Sequence, residues 1–277
     1  MESLRDRVAV VTGGGSGIGE GIAQACAGAG MRLLIADVDT QEAERVAADL
    51  RAAGGEAIAV HCDVTQREAL DALADAAWQE FGGCHLLCNN AGVMVQGSLA
   101  QATDADWNWV LDVNVRGVIH GVQAFVPRML EQGDPAHILN TASKAGLCLL
   151  PGLGVYTTSK FAVVGLSEAL RADLAPRGIG VSVLCPGGVE TRIQESDRNR
   201  PDGVRAELPQ HDMSEEEIAA ARAEHAIMAP AEVGRIALDA VRKDDLYAIT
   251  HPSWKPLVEL RFKGLLDAFD AAASRAD

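Results

Sequence analysis

Residues 8–19 read VAVVTGGGSGIG, a short apolar run that leads directly into a glycine-rich loop. A continuous apolar run that ends in a turn is typical of a β-strand buried on both faces. Glycine at 13, 17 and 19 lets the backbone turn tightly and approach a pyrophosphate, and a helix that begins at Gly17 presents free N–H groups to it. The stretch therefore predicts a strand, a turn and a helix that bind a dinucleotide. A phosphate-loop pattern is excluded because no lysine follows these glycines.

Apolar runs alternate with helical patterns along the rest of the chain, at 33–36, 57–60, 86–88, 138–140, 180–184 and 246–249. This alternation is typical of parallel strands covered by helices on both faces. It predicts an α/β fold: a single Rossmann-type doubly wound domain over residues 1–277, with a seven-stranded parallel sheet. Domains of this kind bind ligands beyond the carboxyl ends of their strands.

The helical patterns also predict boundaries. Thr65 is expected to be the N-cap of a helix that runs to Phe81, and two separate helices are expected at about 104–114 and 115–132. A last helix is expected from about Ser253. Its apolar stripe, which we expect to pack on its own domain or on a sister subunit, consists of Trp254, Val258, Phe262, Leu265, Leu266 and Phe269.

The composition excludes several functional classes. The chain has 277 residues, 48% of them hydrophobic, and a formal net charge of -15, so nucleic acid and anionic membrane surfaces would be repelled. Six cysteines and seven histidines show no zinc-ligand spacing, so we expect no metal and free thiols in a reducing compartment. Residues 1–7 lack a signal-peptide pattern, and no apolar run reaches the ~20 residues of a membrane span. A cytoplasmic protein is therefore expected.

Asp37 ends the second predicted strand, eighteen residues after Gly19. A carboxylate at this position accepts both ribose hydroxyls of an adenosine and repels a 2′-phosphate. No Arg or Lys occupies positions 14–16 or 38, so NAD is expected rather than NADP. The alternative is that Asp37 only forms a turn. Asp63, at the next strand end, is either a partner of the adenine amino group or an N-cap or turn residue.

Tyr156 and Lys160 are four residues apart on a predicted helix, and Ser143 lies thirteen residues before the tyrosine. The spacing places both side chains on one helix face. A free tyrosine has a pKa of about 10, and a neighbouring cation lowers it toward a value useful for proton transfer. The serine hydroxyl can hold a substrate oxygen. A surface pair is the usual meaning of an isolated Y-x-x-x-K, but here the pair accompanies a dinucleotide loop.

Together these motifs resemble the short-chain dehydrogenase/reductase family over roughly residues 5–250. The glycine spacing resembles the simple oxidoreductase branch of that family, not the epimerase and dehydratase branch with its T-G-x-x-G-x-x-G. The matching positions are T-G-x-x-x-G-I-G (12–19), Asp63, N-N-A-G (89–92), Asn114, Ser143, Y-x-x-x-K (156–160) and P-G-x-V-x-T (186–191).

The resemblance implies roles for these residues. Tyr156 would be the acid/base, and Lys160 would lower its pKa and bind the nicotinamide ribose. Ser143 would orient the substrate carbonyl, and Asn114 would hold a water that relays protons from Lys160. The catalytic set is thus Asn114, Ser143, Tyr156 and Lys160. The cofactor set is Gly13, Ser16, Gly17, Ile18, Gly19, Asp37, Val38, Asp63, Val64, Asn90, Ala91, Gly92, Tyr156, Lys160, Pro186, Gly187, Val189 and Thr191.

The implied reaction is hydride transfer between NAD(H) and a secondary alcohol or ketone. Substrate choice is expected to depend on residues 93–95, 145–150 and 190–230. The apolar segment AGLCLL (145–150) suggests a hydrophobic substrate, unless it only packs under its own loop. Residues 190–230 are predicted to form a substrate lid. Its Arg192, Arg198 and Arg200 would meet an anionic group or simply be solvated.

A narrower resemblance concerns the substrate. The segments 117–121, 125–129 and 247–252 are similar to a branch that acts on bulky aromatic alcohols, including lignin-derived benzylic alcohol dehydrogenases. The family also implies a homotetramer or homodimer built by the helices near 115–131 and 155–175. Other functions stay open: an NADP-preferring ketone reductase, a dehydratase or epimerase that uses bound NAD, and a non-catalytic NAD-binding regulator. The regulator would usually have lost one of the catalytic side chains.

Overall fold

The strands of the protein form one parallel sheet. The computed structural model describes residues 3–201 and 227–275. Its strands are β1 (Val8–Thr12), β2 (Arg32–Asp37), β3 (Glu56–His61), β4 (Leu86–Asn89), β5 (Ala136–Thr141), β6 (Ile179–Cys185) and β7 (Tyr247–Ile249). They pair in the order β3-β2-β1-β4-β5-β6-β7, and all neighbours are parallel. The predicted seven-stranded doubly wound sheet is confirmed.

Helices cover both faces of this sheet. They are α1 (Gly17–Gly28), α2 (Thr40–Ala52), α3 (Arg67–Phe81), α4 (Asp104–Leu111), α5 (Gly117–Gln132), α6 (Gly154–Leu174), α7 (Pro230–Lys243) and α8 (Lys255–Ala273). Among the described residues, no helix is both long and apolar enough to cross a bilayer.

The alternation of side chains along β1 shows how the two faces are filled. Ala9 and Val11 belong to a core cluster shared with α1, α2 and α7, whereas Val8 and Val10 belong to a second cluster shared with α3 and α5. All five β1 residues are buried. A strand buried on both faces reads as a continuous apolar run because successive side chains point to opposite sides.

Two predicted helix boundaries were wrong. Helix α3 begins at Arg67 after Gln66, not at an N-cap Thr65, because the Thr65 N–H and hydroxyl both donate to Asp63 Oδ1, at 3.0 and 2.8 Å. The helices expected at 104–114 and 115–132 are instead joined by a π-helical turn over Asp112–Arg116. Such turns insert an extra residue into a helix and are common at functional sites.

Helices α1 and α7 cross at two glycines. A Cβ on Gly21 would collide with the carbonyl oxygen of Pro230, and a Cβ on Gly234 would collide with the carbonyl oxygen of Gly21. The contact holds α7 against the helix that begins at the glycine loop. A Cβ on Gly28, in the same helix as Gly21, would meet no atom within 4 Å.

We expect Gly21→Ala to lower the free energy of unfolding by about 2 kcal/mol, because the methyl group meets backbone that cannot rotate away. Gly28→Ala is the matched control. It should be neutral or stabilising by up to ~1 kcal/mol, since alanine favours the helix. Urea denaturation measures both values. Equal free energies of unfolding for the two variants would show that the α1–α7 crossing has room for a methyl group at Gly21.

Candidate active site

A cleft of about 270 Å³ lies at the carboxyl edge of the sheet. Its lining comes from the segments that follow successive strands, among them Gly13 after β1, Asp37 at the end of β2, Asn90 after β4 and Pro186 after β6. All the residues that the sequence assigned to the site line this cleft, apart from Gly19 and Asn114. The fold therefore brings together residues separated by more than 150 positions.

The glycine loop has the backbone shape that its sequence predicts. Gly13 and Gly17 have φ values of 62° and 55°, in the left-handed region that favours glycine. Gly19 supports the loop from behind, because a Cβ there would collide with the carbonyl oxygen of Gly13. Ser16 precedes α1 without capping it through its side chain, so the first N–H groups of α1 are available to an anion.

Asn90 and Thr12 tie this loop to the neighbouring strands. Asn90 Nδ2 donates to the carbonyl oxygens of Thr12 and Gly13, at 3.1 and 3.2 Å. The Thr12 hydroxyl oxygen accepts the N–H groups of Asn90 and Ala91 and donates to the Cys88 carbonyl. The sequence assigns Asn90 only to the cofactor set. It lines the cleft and also holds the loop in place.

Asp37 stabilises the loop as well as lining the cleft. Its Oδ2 accepts the Gly15 N–H at 2.9 Å, and its Oδ1 accepts the Asp39 N–H at 3.0 Å. Asp37 therefore forms the turn contacts of the alternative interpretation, and it also lines the cleft. Asp63 likewise lines the cleft while it accepts the two Thr65 bonds described above.

The side chain of Arg45 contacts this part of the loop. Its guanidinium donates to the Gly15 carbonyl at 3.1 Å and forms ion pairs with three carboxylates, Glu20, Glu42 and Asp49, at 2.8 to 3.3 Å. The hydrogen bonds that Arg45 donates to Glu20 and Glu42 raise its pKa further. Three carboxylates of the protein therefore already balance the positive charge of Arg45.

Tyr156 and Lys160 lie on the first turns of α6, and both are buried. Lys160 Nζ donates to the carbonyl oxygen of Thr141 at 2.9 Å and lies 5.6 Å from the centroid of the Tyr156 ring. Burial raises the pKa of Tyr156 to about 12, and its hydrogen bond with Ser143 acts in the opposite direction. Burial also lowers the pKa of Lys160 to about 8.

These pKa values differ from the expectation that Lys160 acidifies the tyrosine. Desolvation disfavours the charged form of both groups and is the largest influence on each pKa. The hydrogen bond that opposes the rise of the Tyr156 pKa comes from Ser143. Ser143 itself is held at the start of a short 3₁₀ turn, where its hydroxyl oxygen accepts the Ala145 N–H at 3.1 Å.

Asn114 lies behind the cleft, in the π-helical turn, and is 1% exposed. Its side chain accepts the Val93 N–H at 2.8 Å and donates to the Val93 carbonyl and to the Ser159 hydroxyl oxygen. Ser159 in turn donates to the Tyr156 carbonyl at 2.7 Å. Asn114 therefore positions the α6 turn that carries Tyr156, and its role in a water relay stays a prediction.

The sequence analysis missed two polar residues of the site. The Thr141 carbonyl accepts Lys160, and its hydroxyl donates to Asn90 Oδ1 at 3.1 Å. Ser159 connects Asn114 to α6. Thr141 directly follows the apolar run at 138–140, so its place at a strand end was a usable signal. Ser159 carries no comparable signal, because Asn114, the partner that it connects to α6, lies 45 residues away in the sequence.

The structure brings only part of the predicted substrate region to the cleft. None of the residues 145–150 lines the cleft: Ala145, Gly146 and Cys148 are buried beneath their loop, and Leu149 is 73% exposed at the surface. Val93 and Ile193, from the predicted segments 93–95 and 190–230, do line it, together with Trp109 and Val113, which the sequence does not single out.

Residues 190–201 of the predicted lid lie along the cleft, and 202–226 fall outside the described residues. The short 3₁₀ segment Ile193–Asn199 is attached to the loop after β4, because the Ser196 hydroxyl accepts the Met94 N–H at 3.0 Å. Arg192 lies 3.8 Å from Glu42, and Arg198 donates to two backbone carbonyls. These contacts hold this part of the segment close to the cleft.

Arg200 is neither solvated nor in the cleft. Its guanidinium donates twice to Asp106 Oδ1 at 2.9 Å and stacks 4.5 Å from the centroid of the Trp109 ring. Both side chains of this ion pair are buried. Burial acts to raise the pKa of Asp106, but hydrogen bonds from Thr103 and the charge of Arg200 outweigh it and keep that pKa below its usual value. The pair thus fastens the segment to α4.

Comparison with known proteins places this site in context. A family model described as short chain dehydrogenase matches residues 7–202. A solved short chain dehydrogenase/reductase from Burkholderia phymatum, in complex with NAD, has a TM-score of 0.87 and 42% sequence identity, with 96% of each chain covered.

Two curated relatives match nearly the whole chain. The C alpha-dehydrogenase of Sphingobium sp. strain SYK-6 is 34% identical over 270 residues, which cover 97% of this chain and 88% of that protein. The CLA biosynthesis dehydrogenase/reductase of Lactiplantibacillus plantarum is 32% identical over 272 residues, which cover 96% of this chain and 95% of that protein.

We expect Arg200→Met to lower the free energy of unfolding by about 3 kcal/mol, because it leaves the Asp106 carboxylate buried without its cation. Arg198→Met is the matched control in the same segment. Its guanidinium meets only backbone carbonyls at the surface, so we expect a change within about 0.5 kcal/mol. Chemical denaturation compares the two, and equal losses would contradict a fastening role specific to Arg200.

Proposed function

Because the chain belongs to the short-chain dehydrogenase family, we propose that it is an NAD(H)-dependent oxidoreductase acting on a hydrophobic secondary alcohol or the corresponding ketone. The observation that supports this proposal is the meeting of Tyr156, Lys160 and Ser143 with the glycine loop in one cleft. A nucleotide loop alone would serve many activities. A buried phenol, amine and hydroxyl beside it favour proton transfer to and from a carbonyl oxygen.

The cleft fits a nicotinamide dinucleotide. The left-handed turns at Gly13 and Gly17 and the uncapped start of α1 form a cradle for a pyrophosphate. Asp37 would accept the adenosine ribose hydroxyls, and Val189 and Thr191 would contact the carboxamide. When bound, the nicotinamide supplies or accepts the hydride.

NAD rather than NADP is supported by charge. A 2′-phosphate would meet the Asp37 carboxylate, and the nearby Arg45 is already engaged by Glu20, Glu42 and Asp49. The related Burkholderia phymatum structure holds NAD. An NADP-preferring ketone reductase is the second candidate, and it would require a cation that can approach Asp37.

In the proposed mechanism, the Tyr156 hydroxyl gives its proton to the substrate oxygen during reduction and regains it during oxidation. Ser143 holds the same oxygen by a hydrogen bond. Lys160 stabilises the phenolate by its charge and is kept in place by the Thr141 carbonyl. Since burial raises the Tyr156 pKa to about 12, the phenol is protonated at neutral pH. Alcohol oxidation should therefore speed up as the pH rises toward about 8, where Lys160 begins to lose the charge that stabilises the phenolate.

The substrate is proposed to be hydrophobic on the basis of Val93, Trp109, Val113 and Ile193 in the cleft. An aromatic ring adjacent to the reacting carbon would pack against Trp109. The resemblance of 117–121, 125–129 and 247–252 to aryl alcohol dehydrogenases supports the same class, as does similarity to a C alpha-dehydrogenase. A regulatory protein without turnover is disfavoured because Ser143, Tyr156 and Lys160 are all in place.

We also propose how this machinery is organised in the whole protein. The chain would form a single domain over 1–277, with 190–230 as the substrate lid. It would assemble as a homotetramer or homodimer through α5 and α6, with no nucleic acid or membrane as a partner. Six free, buried cysteines support a reducing compartment such as the cytoplasm.

Tyr156→Phe should reduce kcat for alcohol oxidation by at least ~100-fold while NADH affinity stays nearly unchanged, because only the transferable proton is lost. Tyr247→Phe is the matched control, since Tyr247 lies at the surface beside Glu168 and the chain has only these two tyrosines. Turnover is measured with NAD on a panel of aryl, steroid and aliphatic alcohols. Retained activity in Tyr156→Phe would refute the mechanism, and aryl alcohols among the slowest substrates would refute the aryl assignment.

Fluorescence titration should show NADH binding at least tenfold tighter than NADPH, which corresponds to about 1.4 kcal/mol. Asp37→Ser should narrow this ratio by about tenfold, because the carboxylate that repels the phosphate is removed. Asp39→Asn is the control: it keeps an N-cap for α2 and should leave the ratio unchanged. Equal or tighter binding of NADPH by the wild type would overturn the NAD assignment.

A further inference from the structure

Helix α8 lies on the outside of the protein with its apolar side chains exposed. None of its residues is buried within the described part of the chain. Phe262, Leu265, Leu266 and Phe269 are 49%, 51%, 61% and 69% exposed. At ~100° per residue these four side chains share one face of the helix, and we call them the α8 stripe. Large exposed apolar patches on a folded protein mark interaction sites.

Helix α8 contacts the rest of the protein through its own N-terminal half. The Arg261 guanidinium stacks 4.8 Å from the centroid of the Phe161 ring on α6, and Val258 is half-buried. These contacts hold the N-terminal half of α8 against the protein. Residues 3–201 and 227–275 do not cover the α8 stripe. The expectation that α8 packs on its own domain is therefore not met there.

The order of residues in the stripe is symmetric. Residues 262–269 read FKGLLDAF, so phenylalanine and leucine occur at the same distances on either side of a centre between Leu265 and Leu266. Two copies related by a two-fold axis through that centre, with antiparallel helices, would place Phe262 beside Phe269 and Leu265 beside Leu266 of the other copy. A two-fold interface uses one self-complementary patch on both subunits.

The charges of α8 favour the same arrangement. Residues 255–264 contain three basic residues and one acidic residue, whereas 265–273 contain two acidic residues and no basic one. Lys255 pairs with Glu259 and Lys263 with Asp267 inside the helix, but the two halves keep opposite net charges. An antiparallel pair places the basic half of each helix against the acidic half of the other. A parallel pair would place like charges together, at a cost in stability.

The exposed area also points to a second copy. At roughly 200 Å² for a fully exposed large apolar side chain, the stripe offers ~450 Å² to a partner. A standard protein interface buries ~800 Å² on each side, so the stripe supplies more than half of it. We infer that α8 is a self-association helix, which pairs antiparallel with α8 of a second copy of this chain. This inference concerns assembly and does not rest on the proposed activity.

The test uses variants at the centre of the stripe in the full-length protein. Leu266→Lys should halve the molar mass measured by light scattering, because the pair would bury an unpaired cation. Leu260→Lys is the matched control: Leu260 is equally exposed, at 67%, but lies on the opposite face of α8. It should leave the mass unchanged. Circular dichroism and NADH binding verify that each variant is folded.

A mixing experiment tests the antiparallel register. Leu265→Asp should also halve the mass by itself, and mixing it with Leu266→Lys should restore the larger species. Only antiparallel pairing places the new aspartate beside the new lysine. Three results would overturn the inference: a monomeric wild type, an unchanged mass in Leu266→Lys, or no recovery on mixing. The second would mean that the stripe is covered by residues 202–226 or by a different partner.

Discussion

The side-chain amide of Asn90 is the contact on which the site depends most. Its nitrogen holds the carbonyl oxygens of Thr12 and Gly13, and its oxygen accepts the Thr141 hydroxyl. Thr141 in turn accepts Lys160 through its carbonyl. One amide therefore joins the glycine loop, three strand ends and the α6 lysine. Since an unsatisfied buried polar group costs ~1–3 kcal/mol, each member of this network fixes the position of the next.

Burial gives this site its chemical character. Tyr156 and Lys160 are both withdrawn from water, so desolvation moves their pKa values in opposite directions, to about 12 and about 8. The protein thus holds a neutral phenol beside an amine that titrates close to neutral pH. An acid/base pair of this kind responds strongly to any charge brought into the cleft, because a low-dielectric surrounding magnifies electrostatic interactions.

The sequence predicted those features that follow from local patterns. Continuous apolar runs located the strands, and the parallel sheet then placed the residues after each strand in one cleft. Local patterns failed where distant contacts decide the structure. They also failed where two local structures compete: Asp63 takes both donors of Thr65 in a turn, which delays the start of α3. Arg200 finds Asp106, 94 residues away, and so becomes buried although its neighbours in the sequence are polar. The composition around a residue contains no information on such partners.

Helix α8 shows a further limit of prediction from local sequence patterns. Its apolar periodicity predicted a helix correctly, but periodicity does not identify what covers the apolar face. Most helical stability in a protein comes from tertiary packing of an apolar face. Because none of the 19 residues of α8 is buried, residues 3–201 and 227–275 supply little of this packing. If a second copy provides it, the helical order of α8 depends on protein concentration, since association stabilises only the paired state.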